Sequence, residues 1–210
     1  MEPTRLLDPA ARLRLEAAVI EAERATAGEI VLCVVRQCDE YGSVGWRLGC
    51  VLAALALLGA WLFHAVESPA RLLAAQAVAL AAGHGIARLP AVRRALLPRE
   101  LVEERVAERA RRAFAERGLT RTAARTGILI FVALLERRVV VLADEGIDRV
   151  LAPGESWQQV VDLARDGLRH GRAAEGLEAA VRRCGEILAA HVPAPPRDVN
   201  ELPDAVVLED

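Results

Sequence analysis

Apolar positions recur along this chain at several spacings, and each spacing predicts a different kind of element. Between Pro9 and Thr26, Leu13, Ala17, Ile20 and Ala25 repeat at helical intervals among Arg12, Arg14, Glu16, Glu21, Glu23 and Arg24. With Asp8 as N-cap and Pro9 at the first helical position, the pattern predicts an amphipathic helix ended by Gly28. Glu29 to Arg36 is short and continuously apolar, the signature of a strand buried on both faces. No residue from Leu48 to Val66 carries a formal charge, and a second, alanine-rich apolar stretch runs from Leu72 to Ile86 after a break at Glu67-Ser68-Pro69. At about 1.5 Å of rise per residue the first stretch reaches across the roughly 30 Å hydrocarbon core of a bilayer. The pair reads as a transmembrane helical hairpin over residues 46–90. A helical hairpin buried in a larger soluble core or an oligomer is the competing reading of the same pattern.

After Pro98, a charged helix from Glu100 to Glu116 turns Leu101, Val102, Val106, Ala110, Ala113 and Phe114 inward and closes at Gly118. Gly127 to Leu134 predicts a second buried strand and Arg137 or Arg138 to Ala143 a third. The short turn around Leu135 and Glu136 obliges these two to pair antiparallel. Helices from Trp157 to about His170 and from Ala173 to His191 follow. The tail, residues 193–210, contains proline and is acidic through Asp198, Glu201, Asp204, Glu209 and Asp210, and it reads as a disordered or surface-draped segment.

This order predicts an α/β fold, a small mixed sheet covered by helices, built from residues 1–40 plus 96–192 and interrupted by the two-helix transmembrane hairpin. Strands one and two, joined through a helix, should run parallel. Glu29, the Arg125-Thr126-Gly127 segment and Asp144-Glu145-Gly146 then meet at one end of the sheet. Arg36 and the Glu136-Arg137-Arg138 turn occupy the other, on the bilayer side.

Composition narrows the functions. All 27 basic residues are arginine, set against 29 acidic ones for a net charge of −2, and aromatic residues make up 3%. There is no basic field and there are few stacking platforms, so nucleic-acid binding is not expected. The lack of lysine excludes a Schiff-base lysine and the lysine of a P-loop. Cys33, Cys38, Cys50 and Cys184 form no C-x-x-C pair and suit free thiols in a reducing cytosol. The charged N-terminus lacks the apolar core of a cleavable signal peptide, which leaves insertion to the internal hairpin. Arg36 and Arg47 precede that hairpin, and Arg88, Arg93, Arg94 and Arg99 follow it, whereas its turn has only Arg71 against Glu67. This bias predicts a multi-pass protein of the inner membrane with both ends and the soluble domain in the cytoplasm.

Candidate chemistry is sparse. Asp144, Glu145 and Asp148, with Glu29 brought close by strand geometry, could hold a hard cation such as Ca²⁺ or Mg²⁺, and no other cofactor is expected. The same carboxylates could instead pair with Arg125 and Arg149. Ser43, Ser68 and Ser156 lie in no nucleophile turn, and Ser156 suits a helix cap. His64 and His84 fall near predicted membrane interfaces, and His170 and His191 at helix ends, where a positive charge suits the helix dipole. Small residues in the hairpin (Gly49, Ala53, Ala56 and Gly59, then Ala74, Ala75, Ala79, Ala82 and Gly83) permit close packing of its helices or of copies of the protein. Trp46 and Trp61 suit interfacial anchors.

The run from Thr122-Ala123-Ala124-Arg125-Thr126-Gly127 through Leu142-Ala143-Asp144-Glu145-Gly146-Ile147-Asp148 resembles the TPM domain family. Ala27-Gly28-Glu29-Ile30-Val31, the helix before Gly118 and the closing helix with Gly176-Leu177 resemble it too. The hairpin and the Asp198-Val199-Asn200-Glu201-Leu202-Pro203-Asp204 tail look like a branch of bacterial, functionally uncharacterised membrane proteins in that family. The resemblance implies a compact α/β domain for which calcium binding and, in a plant member, acid phosphatase activity have been proposed. Where many relatives open strand two with Asp-Asn-Gly, this chain has Arg125-Thr126-Gly127, a permanent cation in place of an acidic ligand. The resulting expectation is a membrane-anchored binding or regulatory module that contacts lipid and an unknown protein partner. The alternative is a metal-dependent, phosphatase-like hydrolase using the Asp144/Asp148 edge.

Overall fold

The computed structural model describes residues 2–63, 68–148, 156–195 and 200–209. The chain folds into two compact units, Met1–Cys38 with Glu103–Asp210, and Asp39–Val102. The first unit carries a four-stranded sheet in the order β3-β2-β1-β4, formed by β1 (Glu29–Val35), β2 (Gly127–Ala133), β3 (Arg138–Ala143) and β4 (Val207–Glu209). β1 pairs parallel with β2 over its whole length, and β2 pairs antiparallel with β3. Both agree with the sequence reading.

Every residue of β1 and β2 is buried, which is why their sequences show no alternation. On one face Ile30, Leu32, Val34, Ile128, Ile130 and Val132 join a core with α2 (Pro9–Glu23), α8 (Gln158–Arg169) and α9 (Ala173–His191), which contribute Leu15, Val19, Val160, Ala164, Leu177, Val181 and Leu188. Val31, Cys33, Leu129 and Phe131 alternate to the opposite side. There α6 (Arg99–Glu116) buries Val106, Ala110, Ala113 and Phe114. Each large side chain so buried contributes about 1.5–3 kcal/mol. Asp8 caps α2 as its sequence predicts, its Oδ1 accepting from Ala11 N–H at 2.6 Å.

The tail departs from expectation. Instead of a disordered or draped segment, its last part forms β4, paired parallel with β1 through Cys33↔Val207, Val34↔Leu208 and Val35↔Glu209. Arg36 N–H donates to Glu209 O at 2.9 Å, and the Glu209 carboxylate is held by the guanidinium groups of Arg109 and Arg117 on α6. Short helices α1 (Pro3–Leu6) and α7 (Glu145–Asp148), and a 3₁₀ turn over Leu119–Arg121, are further additions to the sequence reading.

The second unit consists of α3 (Gly42–Leu62), α4 (Pro69–Ile86) and α5 (Pro90–Leu96). α3 and α4 pack side by side around two glycines. A Cβ on Gly83 would come within 2.5 Å of Gly49 N, and one on Gly45 within 2.6 Å of His84 Nδ1. α3 is long and apolar enough to cross a membrane, whereas α4 reaches that standard only together with α5, from which it is bent by 97°. His64, Arg149 and residue 198 of the tail lie outside the described residues, as does the side chain of Asp148.

Candidate functional site

The acidic end of the sheet assembles as strand geometry predicts. Glu29 stands opposite Gly127 in the β1–β2 register, and Asp144 N–H donates to Gly127 O at 2.9 Å, so the three residues share one row. Gly127 carries no side chain because there is no room for one: its Cβ would meet Leu119 O at 2.7 Å and Leu119 Cδ2 at 2.8 Å. Leu119, fully buried, thus covers the middle of the row, between the two carboxylates.

Both carboxylates are buried and both are engaged. Asp144 is 6% exposed. Its Oδ1 accepts from Glu145 N–H at 2.8 Å at the start of α7, and its Oδ2 lies 2.9 Å from Arg125 Nε. Arg125 reaches it from a left-handed backbone position, φ +57°. The turn is locked from the other side by Gly146, whose Cβ would come within 2.5 Å of Ala124 O and Arg125 O. Glu29, 7% exposed, accepts from the tail, with Glu201 N–H at 2.9 Å and Leu202 N–H at 3.3 Å. Among the described residues no group of three or more His, Cys, Asp or Glu side chains is placed to hold a metal ion.

A second acidic group went unnoticed in the sequence. Glu23, at the end of α2, accepts from Ile30 N–H at 2.7 Å and has the Asp204 carboxyl of the tail as a neighbour. Burial, with the neighbouring Asp204 and Glu29 charges adding to it against the Ile30 hydrogen bond, pushes the Glu23 carboxyl up to about 8. Glu29 is likewise raised, chiefly by burial and further by Glu201 and Asp204, while the two tail amides oppose the shift. Nothing in the local sequence distinguishes Glu23 from the other glutamates of α2; its partner is remote in the chain.

A pH dependence follows. A carboxyl raised from 4.5 in the unfolded chain to about 8 in the folded one stabilises fully below about 4.5 and loses that contribution as pH rises through about 8. Urea midpoints measured between pH 5 and 9 should therefore fall toward the alkaline end more steeply for the native chain than for Glu23→Gln, which cannot ionise. Parallel profiles would contradict the raised Glu23 carboxyl.

The thiols offer no alternative centre. Cys33 and Cys184 are fully buried, and burial pushes the Cys33 thiol up to about 12 and the Cys184 thiol well above its ordinary value. Neither is poised to ionise as a nucleophile.

Residues 93–187, which include β2, β3, the Asp144 turn and most of α9, match the family model of the TPM domain. Over these residues the chain carries a TPM domain. The match leaves out α2 and β1, and it is the strand register that sets Glu29 beside the matched residues. The fold is also similar to the NMR structure of BA42 protein from the psychrophilic bacterium Bizionia argentinensis, with a TM-score of 0.61 and 17% identity over 97% of this chain and 95% of that one. At that identity the likeness concerns the fold alone. No curated protein matches the chain.

Proposed function

We propose that this protein is a TPM domain anchored in the inner membrane by α3 and α4, facing the cytoplasm, and that it works as a binding or regulatory module through protein partners rather than as an enzyme. The observation that carries the anchoring is where apolar surface lies. Apart from Leu13, Ile20 and Leu163, every exposed large apolar side chain among the described residues falls between Trp46 and Leu96. Val51, Leu55, Leu58, Trp61, Leu73 and Val78 ring α3 and α4 on the sides these helices turn away from each other. Lipid tails accept such a surface and water does not. Arginine flanking the hairpin supports the cytoplasmic assignment.

The binding role rests on the state of the acidic end. Asp144 is consumed by Arg125 and an amide of α7, and Glu29 by two tail amides, which leaves neither carboxylate open to act on a substrate. Alkaline carbonate washing should leave the protein in the membrane pellet, and thiol labelling from outside the cell should not reach sites introduced near either terminus. Release into the supernatant would overturn the anchoring, and labelling near either terminus would overturn the cytoplasmic assignment. Purified protein should show no melting shift with Ca²⁺ or Mg²⁺ and no hydrolysis of a phosphate ester. A metal-dependent shift and hydrolysis that both vanish in Asp144→Ala would establish the phosphatase-like alternative instead.

A further inference from the structure

The chain turns by 97° between α4 and α5. This inference rests on the membrane reading of α3 and α4: a helix so bent from one that crosses the bilayer runs along its surface. The composition of α5 and its flanks suits that position. Leu89, the residue just before α5, and Leu96, its last residue, are 56% and 46% exposed, and Ile86 at the end of α4 is 42% exposed. Arg88, Arg93, Arg94 and Arg99 interleave with them, and no acidic residue occurs from residue 68 to residue 99. Arg88, Arg94 and Arg99 form no ion pair among the described residues.

The start of α3 belongs to the same end of the hairpin. Trp46 and His84 stack at a centroid separation of 6.3 Å, which sets the exposed Trp46 and the neighbouring Arg47 beside the end of α4. Five arginines, exposed leucines and an interfacial tryptophan therefore gather where the hairpin meets the water on one side.

We propose that α5 is an in-plane foot that seats its leucines among the acyl chains and holds the phosphate of anionic phospholipid headgroups through Arg88 and Arg94. A guanidinium binds a phosphate through two parallel N–H donors, and its aliphatic stem lies along apolar surface while the charge reaches the headgroup layer. Apolar seating and basic attraction each hold a short segment weakly; together they hold it firmly. Each arginine near an anionic surface strengthens retention by about fivefold, so two discriminate strongly between anionic and zwitterionic lipid.

The test uses the full chain reconstituted in vesicles, with Trp61→Phe and Trp157→Phe introduced so that Trp46 alone reports. Bromine on the acyl chains of phosphatidylglycerol, or of phosphatidylcholine of the same length, quenches Trp46 when that lipid is adjacent. The result expected is at least about fivefold preferential quenching by phosphatidylglycerol, weakened by high salt. It should be abolished by combined Arg88→Gln and Arg94→Gln and retained in the matching lysine variant, which keeps charge at the same places. Equal quenching by both lipids in the native sequence, or an unchanged preference in the glutamine variant, would overturn the proposal. A carbonate wash of the same preparation separates the two readings. Protein that stays in the bilayer without lipid preference sinks only the foot, whereas protein that washes off sinks the anchoring and the foot together.

Discussion

Deleting residues 200–210 is expected to lower the unfolding free energy by about 2–4 kcal/mol and to promote association of the truncated chains. The tail makes contacts at both ends of β1. At one end it supplies the two amide donors of the buried Glu29 carboxylate, and the Glu201 carboxylate in turn accepts from Ala123 N–H at 3.0 Å. At the other, β4 pairs with Cys33, Val34 and Val35, and Glu209 joins Arg109 and Arg117. A hydrogen bond to a charged group contributes about 1.5–3 kcal/mol, so losing both Glu29 donors would cost more than the total. Two changes offset part of that loss: water reaches Glu29 once the tail is gone, and the repulsive charges of Glu201 and Asp204 leave with it. The uncovered β1 edge is flat, apolar and free to pair with another chain. Denaturant titration in mild detergent measures the first effect and light scattering the second. An unchanged midpoint would show that the tail merely rests on the sheet.

Gly83→Leu is expected to destabilise the hairpin by about 3 kcal/mol or more, whereas Gly59→Leu is expected to be nearly neutral. On the sequence the two glycines are equivalent members of one small-residue pattern. In the structure the Gly83 Cβ would fall against Gly49 backbone and within 2.9 Å of Leu48 C, while a Cβ on Gly59 meets nothing within 4 Å. Backbone cannot rotate away as a side chain can, so α3 and α4 would have to separate along their contact. Without water to drive helices together, close packing is the main force that joins them, and losing it removes most of the pairing. Limited proteolysis in detergent should cut the Gly83 variant near residues 87–89 faster than the Gly59 variant. Equal rates would remove the glycine contact from any account of the hairpin.

Much of the TPM domain was legible because burial on both faces writes itself into sequence as an unbroken apolar run. β1, β2 and the antiparallel turn to β3 come directly from that signal, and α6 and α9 from their apolar stripes, whereas the stripe read into α2 is the wrong face: Leu13, Ala17, Ile20 and Ala25 are exposed, and Ala11, Leu15, Ala18 and Val19 pack against the sheet instead. β4 was not legible. Val206-Val207-Leu208 is a strand-like run, but only three residues pair, and the proline and carboxylates before it make the whole tail look unstructured. The acidic end of the sheet was half legible. Strand order brought Glu29 and Asp144 into one row, yet the partners that consume them, tail amides and a left-handed Arg125, depend on chain folding that no local pattern encodes. The Glu23–Asp204 pair lies wholly beyond such reading, since its ends meet only once the last strand is in place.

The insertion point of the hairpin bears on how the protein assembles. β1 must find β2 across all of residues 36–126, a separation that ordinarily makes parallel pairing slow. A pairing of α3 and α4 through Gly49 and Gly83 that forms ahead of the sheet would bring the residues on either side of the hairpin near each other. The hairpin would thus shorten the search for a sheet to which it contributes no strand. Variants that loosen it should delay completion of the sheet after synthesis, giving late-maturing protein even where the finished TPM domain is unaltered.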